Sequence, residues 1–258
     1  MDNTNSEPQT PWPILPCGDS SLTIQLGDVI APAIGQRVLA FDRAIHHARE
    51  QGLFPGILDV VPCYTSVSVH YNCSLIGFAD LAEQLKHLLA QAVITDMAGR
   101  HWRVPAFYGE HFGDDLEAVA HLLNLSADDV VARHLGSHFQ IAMIGFTPGF
   151  AYLSGLDPVL NISRRATPRS HAPAGSLSIA AGQAAIQCLA SPTGWHVIGR
   201  TPVRNFDPHR NPAFLFEPGD IVSFFAADSA MWNEMESAAN AGEMIAELAT
   251  PNTLKNDV

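Results

Sequence analysis

Six short runs crowd the second half of this 258-residue chain, at residues 139–144, 176–180, 184–189, 195–198, 213–216 and 221–225. Each is apolar or alternates apolar with polar residues, and Gly and Pro turns separate them. Runs of four to six residues are too short for stable helices and the right length for strands, so this spacing predicts a small barrel or sandwich.

The first half obeys a different period. Residues 21–26 read as a strand, and 36–49 as a helix with Val38, Phe41, Ile45 and Ala48 on one face. A strand at 57–61 follows Gly56, residues 64–71 alternate through Val67 and Val69, and 80–93 repeat Leu81, Leu85, Leu88 and Leu89 at helical spacing. The order β-α-β-β-α predicts a ferredoxin-like half whose last strand falls near Trp102–Val104. The pattern lapses over 95–100, which places a domain boundary near residue 97.

The expected fold is therefore α+β: a disordered lead at 1–12, an N-terminal ferredoxin-like α/β domain at 13–97, a barrel domain at 98–227, and a C-terminal helix and tail at 228–258. Two short helices should open the second domain. Asp114 with Glu117, and Ser126 with Asp129, have capping-box spacing, and Gly136 suits a helix stop.

Charge narrows the partners. Lys plus Arg number 14 against 26 Asp plus Glu, a formal −12, which argues against nucleic acid or an anionic membrane. No apolar run is long enough for a membrane span, and the polar start lacks the marks of a signal peptide, so a cytoplasmic protein is expected. Cys17, Cys63, Cys73 and Cys188 form no C-x-x-C pair, and His134 with His138 lacks the Glu of H-E-x-x-H, so neither a disulfide frame nor a metal site is expected. Only Lys86 and Lys255 are lysines; the other cations are arginines. Six of these, Arg164, Arg165, Arg169, Arg200, Arg204 and Arg210, lie in 158–216 beside a single acid, Asp207. Such a zone suits carboxylate or phosphate, because a guanidinium offers a planar fork of donors.

Within the same half, Gly145-Phe146-Thr147-Pro148-Gly149-Phe150 follows a strand directly and brings backbone and two aromatic faces to one place. It matches neither G-x-x-x-x-G-K-[ST] nor G-x-G-x-x-G, and there is no G-x-S-x-G, S-x-x-K or papain-like Cys context. Asp220, in Glu217-Pro218-Gly219-Asp220, reads as a turn into the last strand. ATP-driven bond cleavage needs phosphate binding, usually through Lys and Mg²⁺ ligands. A chain with two lysines and no Walker loop is not expected to run such a reaction alone.

Five motifs in order carry a resemblance: Gly145-Phe-Thr-Pro-Gly-Phe-Ala-Tyr-Leu-Ser-Gly-Leu156, Arg165-Ala-Thr-Pro-Arg169, Pro173-Ala-Gly-Ser176, Ser191-Pro-Thr-Gly-Trp195 and Ile198-Gly-Arg-Thr-Pro202. Together they resemble the family of 5-oxoprolinase B subunits, also called the KipI or allophanate-hydrolase-subunit-1 family. The resemblance implies a C-terminal cyclophilin-like β-barrel and an active site shared with a partner like the 5-oxoprolinase C subunit. With a third protein, like the 5-oxoprolinase A subunit, such a complex opens the lactam of 5-oxoproline to glutamate, using ATP with Mg²⁺ bound together with a partner subunit. It also implies two alternatives: a KipI-like regulator that inhibits a histidine kinase, and a urea-carboxylase-type carboxyltransferase subunit.

Carried over by position, the resemblance puts Phe146, Pro148, Gly149, Phe150 and Tyr152 at the barrel mouth and Arg165, Arg169 and Arg200 on anionic groups of a small carboxylate or lactam substrate. Gln183 and Trp195 complete the wall, with Arg200 and Gln183 expected in catalysis. The chain departs from the family pattern at Ala151, where Pro is usual, at Ile186-Gln187-Cys188 in place of Ile-Tyr-Pro, and at Thr193-Gly194 in place of Gly-Gly.

Overall fold

The computed structural model describes residues 12–92, 99–109 and 111–249. The chain separates into two compact units, Met1–Thr95 and Asp96–Val258. The boundary expected near residue 97 lies outside the described residues, as do all of the 1–12 lead except Trp12 and the end of the tail.

In the first unit, β1 (Ile14–Pro16), β2 (Ser21–Gln25), β3 (Ile57–Pro62) and β4 (Ser66–Tyr71) form one antiparallel sheet in the order β1-β2-β4-β3. Two helices pack with it, α1 (Pro32–Glu50) and α2 (Phe78–Gln91). Pro32 sits in the first turn of α1, where its missing N–H costs nothing. Alternation puts Leu22, Ile24, Val67, Val69 and Tyr71 on one sheet face. The helical period brings Val38, Phe41, Ile45, Leu81 and Leu85 against them, all buried. Each such side chain stabilises the unit by about 1.5–3 kcal/mol through lost water contact.

A correction follows at the sheet edge. The strand expected near Trp102–Val104 does not complete this sheet; β1 occupies the position beside β2, and residues 101–108 join the other unit as β5 (His101–Tyr108). The β1 strand is only three residues long and follows a Pro-rich lead, so its pattern is too brief to register as a period.

The second unit continues with α3 (Leu116–Leu123), α4 (Ala127–Leu135), β6 (Phe139–Ile144), β7 (Ala151–Ser154), β8 (Arg169–Ala172), β9 (Ser176–Ala180) and β10 (Gln183–Ile186). After these come β11 (Ser191–Thr193), β12 (His196–Arg200), β13 (Ile221–Ala226), α5 (Trp232–Asn240) and β14 (Glu247–Leu248). The order β12-β9-β10-β7-β6-β13-β5 closes through a β12–β5 pairing into a seven-stranded barrel, and β14 adds to β5. The β5–β13 pair is parallel, and β8 with β11 makes a separate ribbon. Ile141, Leu153, Leu177, Ile179, Ala184, Ile186, Ile198, Val222 and Val104 are buried in one cluster with Leu116, Val119 and Val130 of α3 and α4.

Two segments differ from expectation. Residues 213–216 make only an isolated bridge, Phe206 to Phe214, because Leu215 N–H bonds to Asn205 O and Phe216 is buried in the core rather than extending a ladder. The C-terminal helix stops at Asn240; Gly242 takes φ +88, and the chain returns as β14.

Two buried polar groups fasten this unit. Asp220 closes the expected turn, its N–H bonding to Glu217 O, while its carboxylate accepts from Arg100 N (3.1 Å), Arg100 Nη2 (2.7 Å), Trp102 Nε1 (3.0 Å) and Glu217 N (3.0 Å). These bonds tie the entrance of β5 to that of β13 and hold the Arg100 guanidinium above its ordinary pKa. On α4, the Ser126–Asp129 capping box is formed. Farther along, His134 Nδ1 shares a hydrogen bond with Tyr108 Oη at 2.7 Å, its ring stacks on Phe224, and burial pulls its pKa down to about 3. The ring is therefore neutral and committed to the core.

Candidate functional site

Side chains alternate across a strand, so with Leu177 and Ile179 inside the barrel, Ser176, Ser178 and Ala180 of β9 face outward. Register extends this outer face. Arg200 lies opposite Ser176, Ser178 opposite Ala185, Ala185 opposite Tyr152, and Gln183 opposite Ala180. Phe150, Ala180, Ala185, Trp195 and Tyr152 pack there as a cluster distinct from the barrel core.

Four aromatic residues cross the face in sequence. Ring centroids are 5.6 Å apart for Phe146–Phe150, 4.6 Å for Phe150–Tyr152 and 6.0 Å for Tyr152–Trp195, and the Arg164 guanidinium lies 6.0 Å over Trp195. The 145–150 loop is closed by Gly145 N–H to Phe150 O at 3.1 Å. Gly149 has φ +76, and a Cβ there would stand 2.6 Å from Phe206 Cβ, so only glycine fits. Phe146 also takes a left-handed φ, +66, while 69% exposed. A bulky residue held in that region and offered to solvent is a strained, presented side chain. Pro148 is exposed beside it. Asn205, fully buried, holds the loop: Nδ2 donates to Gly149 O at 2.9 Å and Oδ1 accepts from Phe216 N at 2.8 Å.

The arginines part into different roles. Arg165 and Arg169 both donate to Asp115 Oδ1, Arg169 also reaches Asp114 at 2.5 Å, and Asp115 Oδ2 accepts from Val197 N at 2.8 Å. Their charges are matched within the chain, Asp115 is the buried hub, and the capping box expected of Asp114 with Glu117 is not formed: α3 starts after Asp115 with no side-chain cap, and Asp114 accepts from Arg169 instead. Arg210 donates to the carbonyls of Arg204, Asn205, Pro212 and Ala213, a structural arch. Arg204 is bonded to Asn240.

Arg200 differs. It lines a cavity of about 200 Å³ with Ala174, Gly175, Cys188, Phe206, Trp232 and Glu236 among its walls. Its Nη2 donates to Ala174 O at 3.1 Å and its guanidinium lies 4.5 Å over the Trp232 ring. Burial lowers its pKa, opposed by Glu236. Burial also raises the Cys188 thiol pKa, keeping it neutral.

Buried polar atoms without a hydrogen-bond partner among the described residues gather around this face: Ser178 Oγ, Gln187 Oε1 and Arg200 Nε, with Thr147 Oγ1 in the loop and Arg169 Nε on the ribbon. Such an atom costs about 1–3 kcal/mol unless something bonds it. A larger cavity of about 580 Å³ in the first unit, lined by Cys73–Gln84 residues such as Asp80 and Glu83, contains none of these atoms.

The structure thus brings Phe146, Phe150, Tyr152 and Trp195 into one row, with Pro148 and Gly149 in the loop, Gln183 half-buried at one end and Arg200 at the other. Arg165 and Arg169 are withdrawn onto acids. Sequence reasoning missed Ser178, Asn205, Asp115, Trp232 and Glu236. Only the Asp114-Asp115 doublet, ahead of so many arginines, carried a signal.

Residues 12–216 match the model of the carboxyltransferase domain, subdomain C and D. The chain belongs to that family. The B subunit of 5-oxoprolinase from Bacillus subtilis (strain 168) is 32% identical over 234 residues, which cover 86% of this chain and 96% of the relative. The resemblance drawn from the five motifs is met by that relative. Among solved structures, TTHA0988 is 32% identical with a TM-score of 0.70 over 81% of this chain, which spans only 40% of that longer one. The Kluyveromyces lactis urea carboxylase superposes with a TM-score of 0.75 over 92% of this chain and 24% of its own, at 17% identity, and shares the fold.

Proposed function

We propose that this chain is the B-type subunit of an ATP-dependent 5-oxoprolinase, which converts 5-oxo-L-proline, ATP and water to L-glutamate, ADP and phosphate. It acts in the cytoplasm with C-like and A-like partner subunits. The observation that carries the reading is the 32% identity to a protein named as the B subunit of 5-oxoprolinase, across nearly its whole length. The barrel, read as cyclophilin-like, and the first unit, read as a ferredoxin-like variant with β1 in the fourth-strand place, serve as its scaffold.

The outer face suits recognition of a lactam carboxylate. Arg200 supplies a planar donor to the carboxylate, and the aromatic row on the same outer face offers flat apolar surface to the ring. The groups present do not fit ATP with Mg²⁺. Lys86 is on α2 of the other unit, paired with Glu83 at 3.3 Å, and no three His, Cys, Asp or Glu converge among the described residues. In this reading the nucleotide belongs to the partners. Co-expression with C-like and A-like subunits should give ATP-dependent glutamate release, with none from this chain alone. Turnover by the purified chain, or an inactive complete complex, would overturn the proposal.

A further inference from the structure

The stripe Trp232, Glu236 and Asn240 recurs every fourth residue of α5, so these side chains share one helix face. Trp232 anchors that face, its ring 5.0 Å from Phe107 and 4.9 Å from Phe112. Asn240 receives Arg204. Glu236 between them points to Arg200 across the 200 Å³ cavity, with Oε1 3.7 Å from Nη2.

That distance exceeds a hydrogen bond, so the two attract without the directional contact a guanidinium usually makes with carboxylate. Glu236 is also 44% exposed while the Arg200 side chain is 17% exposed, and Arg200 Nε stays buried with no partner. A guanidinium binds carboxylate best through two parallel N–H donors, and Glu236 uses neither at bonding distance.

We infer that Glu236 is an internal stand-in for a ligand carboxylate, and that a small carboxylate entering this cavity takes Arg200 from it. The inference rests on the reading above, that Arg200 holds the substrate's anionic group. Cavity size and walls set the class of ligand. About 200 Å³ equals six or seven liquid water molecules and is below the volume of drug-sized pockets, and Trp232, Phe206 and Val203 line it beside the polar Arg200, Arg204 and Glu236. Arg200 and Arg204 both line the cavity, Arg204 bonded only to the neutral Asn240 amide, and this cationic, partly apolar wall fits a compact carboxylate. α5 therefore regulates access, since its own carboxylate competes for the group that binds the ligand.

The test is calorimetric titration of the full chain with 5-oxo-L-proline and with its uncharged carboxamide, on wild type, Glu236→Gln, Arg200→Ala and the double variant, each checked for a wild-type melting curve. Glu236→Gln should bind 5-oxo-L-proline about tenfold more tightly than wild type and leave carboxamide binding unchanged. Arg200→Ala should abolish the gain in the double variant. Unchanged or weaker binding by Glu236→Gln, with Arg200→Ala still losing the ligand, overturns the role of Glu236 and leaves that of Arg200 standing. Wild-type affinity in Arg200→Ala overturns both, as does absence of binding in Glu236→Gln.

Discussion

The two units differ in how completely they satisfy their own polar groups. Among described residues, the first unit leaves one buried side-chain atom without a partner, Asp42 Oδ1, beside His46 at 3.5 Å. The barrel unit leaves six, three of them, Ser178 Oγ, Gln187 Oε1 and Arg200 Nε, on residues of one outer face. Both units bury a well-formed core, so poor packing does not account for the contrast. One of the barrel unit's unpartnered atoms, Arg200 Nε, belongs to a residue that lines a cavity, and among the described residues none in the first unit does.

The largest effect on this contrast should come from Asp220→Ala. Removing the carboxylate strands Arg100 and the Trp102 Nε1–H, and breaking such a pair costs about 3 kcal/mol, toward the low end of the usual range because Arg100 is 37% exposed. Denaturant melts should show the barrel unit destabilised and the sheet unit unmoved. A common shift of both would show that the units do not unfold separately.

Acid should push the two units in opposite directions. Burial raises the Asp42 pKa to about 6, above its unfolded value near 4, so Asp42's contribution to the first unit's stability is greatest below about pH 4 and is lost as pH rises through 6. His134, lowered to about 3, takes its proton in the unfolded chain below about 6.5 but in the folded chain only below 3. The barrel unit therefore loses stability as pH falls from 6.5 to 3. Asp157, lowered by its bonds to Val159 and Arg133, acts in the same direction. For Asp42 and His134 the slope reaches at most about 1.4 kcal/mol per pH unit for one proton. Urea melts at pH 4.5 and 6 should separate the two transitions; Asp42→Asn should flatten the first without altering the second.

The smallest effect belongs to Phe146. Exposed and held at positive φ, its replacement by Ala should change stability by less than about 1 kcal/mol while lowering turnover of the assembled complex several-fold. A barrel that melts markedly earlier would recast Phe146 as a packing residue.

Where a period ran long enough, the fold was legible: Val38, Phe41 and Ile45 marked α1, and Val67 and Val69 marked β4. Barrel closure was not, because β5 finds its parallel partner β13 more than a hundred residues away, and nothing local in Trp102–Val104 distinguishes one sheet from another. The density of arginines was legible too. Which of them are spent was not, since Asp114 and Asp115 lie some fifty residues before Arg165 and Arg169. A helix was expected within 228–258, but the face that meets Arg200, carrying Trp232, Glu236 and Asn240, was not legible.

Arg200, with its buried Nε unpartnered on the wall of a cavity, serves the reaction rather than the fold. Steady-state kinetics of the reconstituted complex with Arg200→Ala test this most directly. Loss of a desolvated, charge-assisted contact to substrate predicts kcat/KM lower by about a hundredfold, near 2.7 kcal/mol, with melting and complex assembly unchanged. Wild-type kcat/KM, or a loss explained by unfolding or failed assembly, would contradict it and return Arg200 to the structure of the barrel.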